Sequence, residues 1–543
     1  MEAPLLQEEK MNLKKVFAVL LVVTLAMACV FAQSIKEIGE YNGKTVILHS
    51  NDVHGAIEGY AKMAALKAEY EAKDATVILV DDGDYSQGTP YVSHSKGLNA
   101  IEMMNAVGYN VAGLGNHEFD FGYAQLVENM KQADFAVLCS DIFTADGNPI
   151  FNDYYIYTTP NGTKIGFFGI DTPTTRTKVN PVLIQELLFV EEEDLYSVAQ
   201  IVIDELKAQG VDTVICIAHL GVDSESGPDT SFSLMDHTTG IDFVIDGHSH
   251  SVFTGFDGKA IQQTGTKFAN IGVIVIDDAT GAIEDYYLVD CAEIEPDPEI
   301  AALAQAKMDE VDAVYGFKFA ESFVELNGDK APGNRNMETN NGDLITDSML
   351  WAVIADPSAL SVPIENVVCI TNGGGIRAWI HAGDVTMNDV TTVLPFGNTV
   401  TVVYVSGAEL LEALEASSFC TPSAVGGFPQ IAGMKITIDT TKAYNPNAET
   451  YPGSTYYGPA SIERVTIDEI NGNAFDSDAT YAVVTNNFCS AGGDTYYAFA
   501  SAAEQFDTSL PMDEVLMEYI TEVLGGVIDE RYAEPQGRIT IIQ

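Results

Sequence analysis

Gly115-Asn116-His117-Glu118-Phe119-Asp120-Phe121-Gly122 gathers an amide, an imidazole and two carboxylates into five consecutive positions. These are side-chain types that hold divalent cations and move protons near neutral pH. The same event recurs along the chain. Asp52 and His54 follow the apolar run at 45–48, Asp84 follows 75–80, His219 follows 213–218, and His248 and His250 follow 241–245. Alone, a D-x-H pair is usually a satisfied turn and a single histidine usually a core or surface residue. Five of the nine histidines standing after apolar runs are poorly explained that way. Mixed nitrogen and oxygen donors suit Zn²⁺, Mn²⁺ or similar ions. Seven or eight such donors exceed what one tetrahedral ion uses, so two metals sharing a carboxylate is the economical reading.

Groups so placed need a rigid rim to stand on. From residue 44 the chain repeats an apolar, β-branched run, a cluster of Asp, Asn, His or Gly, and a helix-like segment. That grammar predicts a layered α/β domain with polar groups delivered at strand ends. The run at 110–114, which precedes the central motif, reads as a short buried strand. If extension continues past the strands, period-two spacing sends Asp52 and His54 to one side, and His248 and His250 likewise. On extended backbone the neighbours Asn116 and His117 then point apart. Runs at 134–138 and 163–169 read as structural strands without ligands. The segment Glu295-Pro-Asp-Pro-Glu299 opens a helix over 300–314, and the polar stretch 327–333 reads as a linker. Beyond it, three more polar clusters follow apolar runs: Asn372-Gly-Gly-Gly-Ile-Arg377, Phe396-Gly-Asn398, and Asn486-Asn-Phe488 through Gly492-Gly-Asp494.

With 543 residues and 46% hydrophobic content, the chain has material for two domain cores. Its 26 Lys and Arg against 79 Asp and Glu give −53, which excludes electrostatically driven binding to nucleic acid polymers or anionic lipid. A phosphate site in such a chain needs local positive charge from a metal or a placed arginine, and Arg377 in its glycine turn is the natural arginine. The start reads as an export signal: Lys14-Lys15, an apolar run over 16–28, and Val30-Phe-Ala32 before Gln33. Residues 1–10 then precede the real start, and Cys29 sits in a loose lipoprotein box that places Leu25 one position too far back. The six cysteines after position 29 show no C-x-x-C spacing; Cys139, Cys216 and Cys369 lie in apolar runs and read as small core hydrophobes.

D-x-H at 52–54, G-D at 83–84, G-N-H-E at 115–118, H-x-G at 219–221 and G-H-x-H at 247–250, in this order, resemble the calcineurin-like metallophosphoesterases. From about 42 to 543 the whole chain resembles the bacterial periplasmic and cell-surface 5′-nucleotidases, a family that includes UDP-sugar hydrolases and 2′,3′-cyclic nucleotide phosphodiesterases acting also as 3′-nucleotidases. The resemblance implies a layered α/β metallophosphoesterase β-sandwich with flanking helices and a second α/β substrate-binding domain. The implied layout is a leader over 1–32, a metal domain over 42–295, a helix and linker over 296–334, and a C-terminal substrate domain over 335–543 that rotates. By the same resemblance, Asp52, His54, Asp84 and His250 hold one metal, Asp84, Asn116, His219 and His248 the other, and Asp84 bridges. His117 with Asp120 is the implied catalytic pair. Asn372 and Arg377 are implied substrate residues, Phe396 and Phe488 the rings that sandwich the base, and Asn398 and Asp494 polar contacts to base and ribose. The position of His250 varies in the family. Where the family often has a second phosphate-facing arginine, Met337 stands, with Arg335 the nearby cation. The expected activity is an exported dinuclear phosphohydrolase acting on small-molecule nucleotides, with cyclic nucleotides or UDP-sugars as alternative substrates. A surface nucleotide-binding protein without turnover is the rival of another class, and a complete ligand set argues against it. Contact with a membrane is expected only through a lipid anchor.

Overall fold

The computed structural model describes residues 41–223, 226–355, 357 and 360–543. The expected export signal and Cys29 lie outside the described residues. Among those described, no helix is long and apolar enough to cross a membrane.

The first half is a sandwich of two six-stranded sheets. One is built on Lys44–Ser50, Thr76–Asp81, Val111–Ala112 and Ala136–Val137, all parallel, with Asn270–Asp277 and Ile283–Asp290 added antiparallel. The other is built on Lys164–Ile170, Thr213–Ala218, Phe243–Asp246 and Lys259–Thr264, again parallel, with antiparallel edges. Alternation along each strand explains why these runs are apolar throughout. Val46 and Leu48 pack outward on the helices Tyr60–Glu71 and Leu98–Val107, whereas Ile47 points inward to meet Ile165, Phe167, Ile215 and Ile217 of the facing sheet. On the far side, Val214 and Cys216 pack on the helix Glu192–Ala208. The parallel strands of both sheets are therefore buried on both faces, while the antiparallel edge strands Val252–Phe256 and Ile283–Asp290 are partly exposed. The expected layered α/β sandwich with flanking helices is what the chain forms.

Two expected strands are shorter than their apolar runs: 110–114 pairs only at Val111–Ala112 and 134–138 only at Ala136–Val137. The helix after Glu295 spans Pro298–Tyr315, with Pro298 in its first turn and the Asp297 carboxylate accepting from the N–H groups of Glu299 and Ile300, both at 3.0 Å.

The stretch 327–333 is not a free linker. Strand Lys318–Ser322, ahead of it, already pairs with Gly383–Thr386 and Val527–Ile528. The stretch itself packs on 378–379, where Trp379 Nε1 donates to Asp329 at 2.9 Å. Its polar composition resembled a linker because its partners are backbone and side-chain polar groups.

The second half centres on a five-stranded mixed sheet with strand order Pro429–Ala432, Val367–Asn372, Thr480–Asn486, Thr399–Ser406, Glu504–Pro511. Alternation again divides it into two cores, with Cys369, Val402 and Val484 on one face and Val368, Val403 and Val483 on the other.

Candidate active site

Every polar cluster of the first half leaves the C-terminal end of a parallel strand, and the two sheets deliver their clusters to one place. The route differs from the period-two expectation. The strands stop at Ser50, Asp81, Ala218 and Asp246, and the chain then turns sharply. Asp52, His54, Asp84, His248 and His250 all lie in the left-handed region, at φ of 51°, 44°, 60°, 67° and 55°. Non-glycine residues rarely adopt that region, and such conformations concentrate where the surrounding structure enforces a functional geometry. Asn116–Phe119 is likewise a turn of 3₁₀ helix and not extended, so adjacency does not separate Asn116 from His117.

These turns converge buried donor atoms. The Nε2 atoms of His54 and His250 face each other at 3.0 Å, and Asp52 Oδ1 lies 3.3 Å from His250 Nε2. Asp84 Oδ2 lies 3.2 Å from His219 Nε2 and 3.7 Å from His54 Nε2. His248 Nδ1 meets Asn116 Oδ1 at 2.9 Å. Asp52/His54/His250, Asp52/Asp84/His219 and His54/Asp84/His117 each bring three ligand atoms within 4.8 Å of one another. The other ring nitrogens of two histidines are spoken for: His54 Nδ1 faces Gln87 O at 3.3 Å, and His219 Nδ1 faces Asp82 O at 3.0 Å. A hydrogen at each Nδ1 leaves the Nε2 lone pairs pointing inward.

This donor set fits divalent cations. Asp52 Oδ1 and His219 Nε2 are buried without a hydrogen-bond partner, and such groups are costly unless something satisfies them. Burial pushes His54 and His250 below the ordinary histidine value, which favours the neutral, ligating form. Burial also pushes Asp84 upward, but the imidazoles of His219, His117 and His54 outweigh it and hold the carboxyl well below its usual range. His219 is the converse: burial lowers it, and the carboxylates of Asp84, Asp82 and Asp52 raise it well above the ordinary value.

Beside the cluster, His117 Nδ1 and Asp120 Oδ2 are 2.6 Å apart. Burial pulls the His117 imidazole down, but Asp120 and Asp84 outweigh burial and raise it. Asp84, Asn116, His117, Asp120, His248 and His250 form one wall of a cavity of about 300 Å³. The second half supplies the opposite wall, including Asn372, Arg377, Phe396, Asn398, Phe488 and Asp494. All six substrate residues expected there thus face the same space as Asp84, Asn116, His248 and His250; the other three metal-ligand candidates, Asp52, His54 and His219, do not line it.

Their contacts add detail. Phe396 stacks on His117, with ring centroids 5.6 Å apart and planes 30° apart, and the Arg377 guanidinium carbon lies 5.6 Å from the Phe396 centroid. Phe488 is buried against Gly493, on whose Cα a Cβ would lie 2.3 Å from the ring. Asp494 is held from both halves. Asn372 Nδ2 donates to its Oδ2 at 3.0 Å, Lys178 Nζ lies 3.1 Å from its Oδ1, and its own N–H donates to Thr177 O at 2.6 Å.

Lys178 went unrecognised in the sequence, as did Lys330, and both line the cavity with Arg335 and Arg377. Lys178 follows the strand Lys164–Ile170, which reads as purely structural. In fact the chain beyond that strand brings Lys178 to the cavity and Thr174 Oγ1 to within 3.3 Å of His248 Nε2. The four-threonine stretch 172–177 carried no motif to mark it. Side chains that support the ligand loops were also missed. Asn51 donates to Asp52 Oδ2 at 2.6 Å and accepts from Thr264 N at 2.9 Å. Gln263 donates to Gly247 O and accepts from Ser251 N, both at 2.7 Å, bracketing His248 and His250.

Residues 45–252 match the family model of the calcineurin-like phosphoesterases, and residues 320–501 that of the 5′-nucleotidase C-terminal domain. The chain is 27% identical to the trifunctional nucleotide phosphoesterase protein YfkN of Bacillus subtilis over 91% of its own length, but spans only 34% of that longer protein. It is 27% identical to a 5′-nucleotidase of Vibrio cholerae, covering 97% of this chain and 98% of that protein. A 5′-nucleotidase precursor from Thermus thermophilus superposes with a TM-score of 0.76 at 28% identity, covering 92% of this chain and 99% of that structure.

Proposed function

Because the chain belongs to the hydrolase family that joins a calcineurin-like phosphoesterase domain to a 5′-nucleotidase C-terminal domain, we propose that it is an exported, dinuclear 5′-nucleotidase. The observation that carries the reading is the shared cavity of about 300 Å³, which Asp84, Asn116, His248 and His250 of the donor cluster and the His117–Asp120 pair line together with Arg377, Phe396 and Phe488. In this reading Asp52, His54, Asp84 and His250 hold one divalent ion and Asp84, Asn116, His219 and His248 a second. Asp84 is a suitable shared ligand because its Oδ2 stands between His54 and His219. When bound, such ions supply Lewis acidity to phosphoryl oxygens and make a nearby water more acidic.

The chain's own residues do the rest. Asp120 Oδ2 accepts the Nδ1–H of His117, which fixes the ring and favours its cationic form, so that Nε2 holds a proton for a phosphoryl oxygen or the leaving oxygen. Arg377 meets the phosphate charge in a chain of net −53. In this reading Phe396 and Phe488 stack on the base, and Phe396 also lies against the catalytic His117. Asn372 orients the Asp494 carboxylate, whose remaining lone pairs suit sugar hydroxyls.

Phosphate release by metal-loaded protein from AMP, UMP, 2′,3′-cyclic AMP, UDP-glucose and p-nitrophenyl phosphate tests this reading. Nucleoside 5′-monophosphates are expected to give the highest kcat/KM. The cyclic and sugar nucleotides belong in the panel because YfkN is named a trifunctional nucleotide phosphoesterase. Turnover of p-nitrophenyl phosphate with none of the nucleotides would overturn the substrate assignment.

A further inference from the structure

Glu118 completes the Gly115–Glu118 motif, yet among the described residues it belongs to none of the ligand groups and does not line the cavity. Its side chain is 2% exposed and takes four backbone hydrogen bonds. Oε2 accepts from the N–H of Asp84 and of Gly115, both at 2.7 Å. Oε1 accepts from the N–H of Tyr85 and of Ser86, both at 3.0 Å. One carboxylate thus binds three consecutive amides of the Asp84 loop and one amide of its own turn. Both oxygens are used as acceptors, which only a carboxylate offers.

The two loops so joined are in backbone contact. Gly83 has φ of 109°, and a Cβ there would lie 2.2 Å from Gly115 N; a Cβ on Gly115 would lie 2.4 Å from Asp84 Oδ1. Across the same contact, His117 N donates to Asp84 Oδ1 at 2.8 Å. Glu118 therefore fixes the backbone of Asp84, while the backbone of His117 fixes its side chain and leaves Oδ2 toward His54 and His219.

We infer that Glu118 is a positioning residue, whose carboxylate pins the Asp84 loop to the Asn116–His117 turn and sets the geometry of both before a cation arrives. The inference rests on reading Asp84 as a metal ligand. Its ordering cost falls on folding, so the cation meets a ready site.

Glu118→Gln is the diagnostic change, since it keeps the shape but turns an NH₂ toward two N–H donors. In the metal-free full-length variant, hydrogen exchange at the amides of Asp84, Tyr85, Ser86 and Gly115 is expected to quicken, while strands Lys44–Ser50 and Thr213–Ala218 stay protected. Mn²⁺ measured by calorimetry is expected to bind about 10- to 100-fold more weakly, with kcat/KM for AMP and p-nitrophenyl phosphate lowered by a common factor. Mn²⁺ affinity within about twofold of wild type, with those amides exposed, would make Glu118 merely structural and overturn the inference; so would unchanged exchange at all four. If Glu118→Gln does not fold, Glu118→Asp, one methylene shorter, has to show an intermediate loss of Mn²⁺ affinity, and wild-type affinity there overturns the inference equally. A wild type that binds no Mn²⁺ would instead overturn the dinuclear reading, leaving amide exchange to decide whether Glu118 braces the loops.

Discussion

Removing divalent ions should unfold the first half of the molecule at a markedly lower temperature and leave the second half nearly unaffected. The donor atoms lie in the first half, and the second half has separate cores of its own. A ligand at about 100 times its Kd stabilises by about 2.7 kcal/mol, so two ions contribute about 5 kcal/mol. For a unit of about 250 residues, each kcal/mol moves Tm by about 2–4 °C, which predicts a fall of about 10–20 °C. Scanning calorimetry of Mn²⁺-loaded and chelator-dialysed protein, with metal content measured on the same samples, reads the effect. A single endotherm that does not move, in protein shown to have lost its metal, would refute the assignment of these buried donors. A fall of half the size at one ion per chain would refute the second site alone.

Three further outcomes are expected. Asp84→Ala should lose more bound metal and more activity than His250→Ala, because Asp84 Oδ2 stands between His54 and His219 whereas His250 meets only the Asp52–His54 side; full two-metal occupancy in the Asp84 variant would show that it does not bridge. Stacking contributes about 1–3 kcal/mol per base, so Phe488→Ala should lower kcat/KM for AMP by one to two orders of magnitude and spare p-nitrophenyl phosphate, while Phe396→Ala, which also uncovers His117, should lower both; equal losses in both variants would refute the base clamp. His49 is fully buried beside Gln262, and burial lowers its pKa to about 4. The folded value lies below the unfolded one, so this contribution is intact above about pH 6.5 and is lost as pH falls toward 4, by about 3 kcal/mol in all. Denaturant unfolding from pH 7.5 to 4 should show that slope in wild type and a flatter one in His49→Asn; identical slopes would refute it.

How much was legible in the sequence depends on the range over which each contact acts. Ile47 and Leu48 announce a strand buried on both faces because alternation is local. Asp52, His54, Asp84, Asn116, His219, His248 and His250 stand out because each directly follows such a run. The left-handed backbone of Asp52, His54, Asp84, His248 and His250 was invisible: no glycine occupies those five positions, and the loops that carry them are tied to residues far away in the chain, Asn51 to Thr264 and Gly265, and Gly247 to Gln263. Glu118 was visible as a motif member but not as an acceptor, since its partners at 84–86 lie more than thirty positions away in the chain. Lys178 was the least legible, because its partner Asp494 lies 316 positions on and in the other half.

That last contact bears on how a chain of net −53 admits an anionic substrate at all. At physiological ionic strength, fields from exposed charge fade over about 8 Å, so the groups lining the cavity decide the local potential more than the total does. Lys178, Lys330, Arg335 and Arg377 all line it. Lys178 comes from the first half and the other three from the second, so the positive lining is complete only where the halves meet. The same is true of Phe396 on His117 and of Asp494 with Lys178. The candidate metal-ligand cluster is built by one half alone, but the cavity that would read a nucleotide is built by both. Substitutions at these cross-contacts should therefore alter the ranking among substrates, whereas substitutions in the ligand cluster should scale all substrates together.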